Sequence, residues 1–229
     1  IENFMIQGGD PKADGTGTHY APDSTFTIYS NTTLYAVWKV PHIHEYTYAV
    51  NTENAAQIIE SCTCGHSETA TLQLDANATL KYTGSAITPI TVTYSDGWVG
   101  EKKTNADIVY AGNVNVGTAT GALTVDGASA EITFVITPAS VPAVTFPSAV
   151  NSITYGQALE DAGLTFTSNA YGTFNWVDPN GVPNAGTAYY AVDFTPNAQA
   201  MQNYDWASDS RWIPSRNTLC VAVAVVVNK

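Results

Sequence analysis

The pattern Asn-x-Gly-Thr-Ala occurs twice in this 229-residue chain, at residues 115–119 and 184–188. Each copy follows a Tyr-led opening with a Gly turn, Tyr82-Thr83-Gly84 in one case and Tyr155-Gly156 in the other. Each is followed by a run rich in β-branched residues, EITFVIT and CVAVAVVV. Three features in the same order at similar spacing indicate a repeated unit. Gly117 and Gly186 are expected in turns that need positive φ, with Thr-Ala leading into the next strand.

The composition suits strands. Hydrophobic residues make up 45% of the chain and charged residues only 12%. Thr, Val, Ala, Asn and Tyr fill the positions that Leu, Glu, Lys and Arg would fill in long helices. The formal charge is −12, from 20 acids against 8 bases. A nucleic-acid binder needs a cationic face to displace phosphate counterions, so that class is excluded, and docking on anionic lipid is disfavoured. No run of 18 apolar residues spans a membrane; LCVAVAVVV at 219–227 is too short and reads as a buried strand. The chain begins at Ile1, shows no signal peptide, and is read as a fragment of a longer protein.

Turn-punctuated strand candidates follow one another along the chain. FTIY and LYAVW, within 24–38, are expected to pair as a hairpin around SNTT. A strand-like run at 40–50 precedes a polar stretch, 51–69. Further strands are expected in 82–100, ADIVYAG, TATGALTV, AEITFVIT, AGTAYYAVDFTP and the C-terminal run. The three prolines of 137–150 mark a linker or edge crossing. The resulting fold class is all-β: tandem Ig-like β-sandwiches preceded by a small β-hairpin and His/Cys module. The divisions are 1–40, 41–74, 75–139 and 140–229.

Two resemblances sharpen this reading. GTFNWVDPNGVPNAGTAYYAVDFTP (172–196) and ITYGQALEDAGLT upstream resemble the MBG-type bacterial Ig-like domains of secreted and surface proteins. Residues 82–138, through YTGSAITP and NVNVGTATGALTV, resemble a more diverged relative. The tract 198–218 departs from that pattern, being longer and carrying two Trp. KADGTGTHYAPDSTFTIYSNTTLYAVWK (12–39) is similar to the end of an internalin-type B, or Listeria–Bacteroides, repeat. FMIQGGDP resembles an active-site stretch of the cyclophilins. That match is short, and the Arg before it and the aromatic-lined barrel after it are missing, so an isomerase is not expected.

The densest chemical constellation is His42, His44, Cys62, Cys64 and His66. It holds three of the four histidines and two of the three cysteines. An H-x-H pair on one strand face and a C-x-C pair at a turn supply the four N/S ligands of a structural zinc, here His42, His44, Cys62 and Cys64. C-x-C is tighter than the usual C-x2–4-C spacing, and free thiols, a strained vicinal-type disulfide or solvent-exposed histidines are the alternatives. No acid or base stands beside the cluster, so a catalytic metal is not expected. Cys220 reads as a small buried hydrophobe.

No nucleophile elbow, zincin helix or phosphate loop is present, and no catalytic residue is assigned. Glu160-Asp161 and Asp205/Asp209 read as solvated turns, although Asp178, Asp205 and Asp209 are candidate calcium ligands. Trp206 and Trp212 lie in a polar tract and are the expected exposed pair for stacking on a sugar. Asn31 and Asn77 head sequons that matter only in a glycosylating host. The expected function is a non-enzymatic extracellular stalk, spacer or adhesion segment of a bacterial surface or secreted protein. The alternative is a carbohydrate-binding accessory module. Expected partners are a host or cell-wall glycan or protein, with no nucleic acid and no membrane span.

Overall fold

The computed structural model of the chain describes residues 5–39 and 43–229. It is mostly β, as its composition predicts, in several antiparallel sheets. Among the described residues the one α-helix is six residues long, α1 (Ala198–Asn203).

Strands β1 (Met5–Asp10) and β2 (Tyr35–Lys39) form an antiparallel pair, with Gly9 opposite Ala36 and Asp10 opposite Tyr35. The hairpin expected between FTIY and LYAVW is not formed, since 26–29 contain no strand. The buried Asp10 explains the difference. Its carboxylate accepts the N–H groups of Lys12 (2.7 Å) and Gly17 (3.1 Å), folding the Gly-rich turn back on itself. Tyr20 then bonds to Gly9 on the other edge of β1. Residues 26–29 pack through Phe26, stacked at 4.1 Å on Tyr20, instead of joining a ladder.

The first large unit has two sheets. One contains β3 (Thr47–Asn51), β4 (Asn54–Ser61), β5 (Ser67–Leu74) and β6 (Ile90–Tyr94), in that order. The other contains β7 (Val109–Ala111), β8 (Gly117–Val125) and β9 (Ala128–Ile136). Ile58, Leu72 and Ile90 from the first meet Leu123, Phe134 and Ile136 from the second in one core, which Trp98 joins from a loop. Each such side chain removed from water is worth about 1.5–3 kcal/mol. The sequence division at 74/75 therefore corresponds to no boundary in the packing. β5 is paired with β6 from Ala70↔Tyr94 to Leu74↔Ile90, and the 41–74 segment supplies part of the shared core. Residues 54–61 and 67–74, within or overlapping the stretch read as polar, are strands. Their inward row is partly polar, Ile58 and Ala70 beside Glu60, which masks the alternation.

The second unit is built on one six-stranded sheet. Its strands are β10 (Ile153–Thr154), β11 (Ser168–Asn169), β12 (Gly172–Trp176), β13 (Gly186–Pro196), β14 (Trp212–Ile213) and β15 (Thr218–Asn228). The order is β10-β15-β13-β12-β11, with β14 on β15. Phe174, Val192, Phe194, Leu219 and Val225 face a second layer of less regular segments that supplies Val144, Leu159, Ala162 and Trp206. The proline-rich tract 137–150 holds no named strand, as expected, but it packs Val144 into this core and bridges Ala149 to Leu164. The apolar C-terminal strand is buried on one face only: Val223, Val225 and Val227 point in, while Val226 is exposed.

The repeat seen in the sequence is a repeat of strand register. Gly117 opens β8 opposite Ile136, and Gly186 opens β13 opposite Val227. Both glycines have the positive φ expected of them, 138° and 125°, a region that favours Gly. The Tyr-led openings also correspond. Lys81 bridges Thr137 in parallel and Tyr82 N–H donates to the Thr137 carbonyl. Likewise Ile153 and Thr154 run parallel to the end of β15, and Tyr155 N–H donates to the Asn228 carbonyl.

The two units meet at Asn203, which is fully buried at the end of α1. Its side-chain oxygen accepts the Val116 N–H (2.8 Å), and its amide donates to Asn115 Oδ1 (3.1 Å) and to the Gln199 carbonyl (3.0 Å). Its backbone carbonyl accepts the Ala139 N–H (2.9 Å). Gln202 Nε2 donates to the Val116 carbonyl (3.2 Å), and Tyr82 meets Tyr204 edge to face. The tract 198–218, with its short helix α1, thus docks one unit onto the other. Asn203→Ala strands the Val116 N–H and is expected to lower stability by about 1–3 kcal/mol in urea titration. Amide exchange at Val116 should accelerate with it; unchanged protection there would show that the clamp does not hold the junction.

Candidate metal centre

The inward-facing row of β4, Ile58 and Glu60, continues in phase to Cys62 just past the strand, and all three are buried. Just past the strand, residues 62–65 close a turn in which Gly65 N–H donates to the Cys62 carbonyl and Cys62 N–H to the His66 carbonyl, both at 3.0 Å. This turn carries Cys64 around beside Cys62. The ring of His44, three residues before β3, completes the group. Its Nδ1 is 3.7 Å from Cys62 Sγ and 3.3 Å from Cys64 Sγ. The three ligand atoms all lie within 4.8 Å of one another, and no other such group of three or more His, Cys, Asp or Glu occurs among the described residues. Of the four sequence-assigned ligands, His44, Cys62 and Cys64 come together, whereas His42 lies outside the described residues.

Two aromatic contacts orient the group. Tyr46 stacks on His44, with ring centroids 5.7 Å apart and 9° between planes, and meets His66 edge-on at 5.1 Å. His66 is not beside the sulfurs. Its Nε2 is 2.8 Å from Glu60 Oε1. Partial desolvation, then the electrostatic influence of the neighbouring Cys62, Glu60 and Cys64, raises the Tyr46 pKa.

Glu60 is a residue that sequence reasoning missed. Its carboxylate is fully buried and accepts from Val99 N–H (2.9 Å), Gly100 N–H (2.6 Å) and Tyr48 O–H (3.0 Å) as well as meeting His66. Burial opposes its ionisation, but the bonds from Val99, His66, Gly100 and Tyr48 outweigh burial and leave the pKa lowered. Burial, then the bond to Glu60, pushes Tyr48 up to about 12. Gly100 is required by close approach, since a Cβ there would collide with the Tyr48 hydroxyl and the Glu60 carboxylate. The signal in the sequence was an acidic residue in phase with Ile58 and Cys62 on one strand face.

The remaining sequence-assigned groups are positioned differently. Trp206, expected to be exposed, is 2% exposed: it packs on Phe194, and its Nε1 donates to the Ala200 carbonyl at 2.8 Å. Trp212 is half-buried against the same core and stacks on Trp206. Local sequence polarity misled here because the polar side chains bond to one another (Arg211–Asp209) and to neighbouring elements, while the two indoles pack against the core. Asp209 is engaged by Arg211 through Nε (3.0 Å) and Nη2 (2.7 Å), and Asp178, Asp205 and Asp209 form no ligand group. Asp161 caps Ala158 N–H. Cys220 is only half-buried, opposite Asp193, whose carboxylate takes Arg216 at 2.7 and 2.8 Å.

Comparison of the chain with protein-family models, with curated proteins and with solved structures finds no match. Chemically, two sulfurs and an imidazole suit a soft or borderline metal or thiol redox chemistry, and Glu60 is already saturated with donors.

Because the folded-state pKa of Glu60 lies below its unfolded value, its stabilisation is complete above the unfolded pKa and disappears as pH falls through the folded one. Glu60→Gln should cost about 2–3 kcal/mol at neutral pH, the scale of hydrogen bonds to a charged group. The variant should also lose stability less steeply than the parent on acidification. Chemical denaturation between neutral and strongly acid pH measures both, and parallel curves for the two proteins would refute the assignment.

Proposed function

We propose that the chain is a non-enzymatic stalk or spacer segment of a bacterial surface or secreted protein, working outside the cell and able to carry adhesion. The observation that carries this reading is the buried clamp at Asn203, which joins two register-matched β units end to loop. A spacer must hold its units in fixed relation, and buried, mutually satisfied polar groups do so with directionality that apolar contact lacks. We read the two units as diverged MBG-type Ig-like domains, and residues 5–39 as the end of an internalin-type B repeat. The strand repeat, the low charged content and the motifs quoted above support that reading. The acidic surface suits a segment that stays apart from phosphate-bearing polymers. Among the described residues no helix is long and apolar enough to cross a membrane.

Glycan or protein partners are part of this proposal, but a sugar platform built on Trp206 is not, because its ring is covered. A spacer's contribution depends on its length and stiffness. Replacing residues 43–229 in the native protein by unrelated rigid β modules of equal span should therefore preserve display and ligand binding by the flanking parts. Loss of binding in that chimera, with surface amount unchanged, would overturn the spacer reading in favour of direct recognition. Turnover of a peptide or glycoside by the purified chain would overturn its non-enzymatic character.

A further inference from the structure

We propose that His44, Cys62 and Cys64 bind one zinc-like divalent metal ion that staples the chain ahead of β3 to the tip of the β4–β5 hairpin. The spacing of the ligand atoms is the first argument. Zinc bonds sulfur at about 2.3 Å and imidazole nitrogen at about 2.0–2.1 Å, so a tetrahedral centre puts an N···S edge at about 3.6 Å. The two N···S distances are 3.3 and 3.7 Å, on either side of that value. Both N···S edges would fit such a centre with little movement of either element.

The ligand chemistry is the second argument. Two thiolates and an imidazole favour zinc and comparable soft or borderline ions over magnesium or calcium, which need oxygen ligands. The nearby carboxylate, Glu60, is committed to Val99, Gly100, Tyr48 and His66 and does not compete for the site. Binding involves no electron transfer. Two Cys S–H protons leave to solvent, two S–metal bonds and one N–metal bond form, and the two thiolates balance the charge of the dication.

Preorganisation is the third. The turn 62–65 is held by two backbone hydrogen bonds of its own, and the His44 ring is stacked on Tyr46. Tyr46 in turn abuts His66, which Glu60 anchors to the loop carrying Trp98. The group is thus oriented by neighbours that reach into the core of the unit, as the surroundings of metal ligands commonly are. Cys64 and His44 are exposed, which leaves the site open to an incoming ion. The metal would add a cross-link between residue 44 and the hairpin tip at a place where the ladder of β3 with β4 has ended at Thr47↔Ser61.

The test uses the whole chain, reduced and stripped of metal, titrated with Co2+ in the absence of oxygen. One equivalent should produce the visible d–d bands of tetrahedral cobalt and a sulfur-to-metal charge-transfer band, both bleached by one equivalent of Zn2+. In the zinc form a thiol reagent should titrate Cys220 alone, and the thermal midpoint should rise with added zinc. Cys64→Ser and His44→Ala should lose the cobalt spectrum, and Cys220→Ser should keep it. Amide-exchange protection of Ile58 and Leu72 confirms that each variant retains its core. A Cys64→Ser variant that keeps the spectrum, or a folded parent that gives none while its thiols titrate as accessible, would overturn the proposal. So would rapid closure of a Cys62–Cys64 disulfide that excludes the ion. None of these outcomes bears on the spacer reading, which rests on the Asn203 junction.

Discussion

The pairing of one long strand with the last strand of its unit organises each half of the molecule. β8 pairs with β9, and β13 with β15, along nearly their whole lengths. An antiparallel ladder has a side-chain period of two, so one register places every second residue in the core and a slip of one would expose them all. With that register set, the end of the last strand offers a free edge to the Tyr-led opening of the same unit, which adds in parallel in both halves. The other elements then have fixed faces to cover, and the two units differ in what covers them. The first recruits the β3–β6 sheet, whereas the second uses irregular segments and the Trp206 layer.

The buried carboxylate of Glu60 links this packing to the candidate metal centre. A charge withdrawn from water is tolerated only where hydrogen bonds replace its hydration. Here the replacement comes from backbone N–H groups of the Val99-Gly100 loop, from Tyr48 and from His66. The loop, the first strand of the sheet and the hairpin that bears Cys62 and Cys64 are thereby tied to one point. The placement of His66 follows from this. Its proximity in sequence to Cys64 suggests a shared site, but the carboxylate holds its ring in a different set of contacts. Asn203 plays the corresponding part at the junction, where its amide satisfies groups on both units at once.

What was legible in the sequence was what local chemistry dictates. The scarcity of helix formers, the Gly turns and the period-two runs marked β6 to β9, β13 and β15, and the doubled Asn-x-Gly-Thr-Ala marked the start of equivalent strands. The pairing of H-x-H with C-x-C brought His44, Cys62 and Cys64 to notice because few residue types ligate soft metals. Strands β4 and β5 were not legible, because a partly polar inward row, Glu60 among it, breaks the expected alternation. The partner of LYAVW was not legible either. FTIY and the opening residues compete for it, and the choice turns on the Asp10 carboxylate closing a turn.

By itself, then, the sequence determined the β class, the duplication, and the residues able to ligate a metal, since each follows from side-chain type and short-range spacing. The tertiary structure alone decided which strands share a core, that residues 43–74 belong with 75–137, that Trp206 is covered, and that Asn203 clamps two units. These depend on contacts between residues tens of positions apart. Their free energy comes from burial and from satisfying polar groups that burial strands. Neither can be assigned to a residue until its neighbours in space are known.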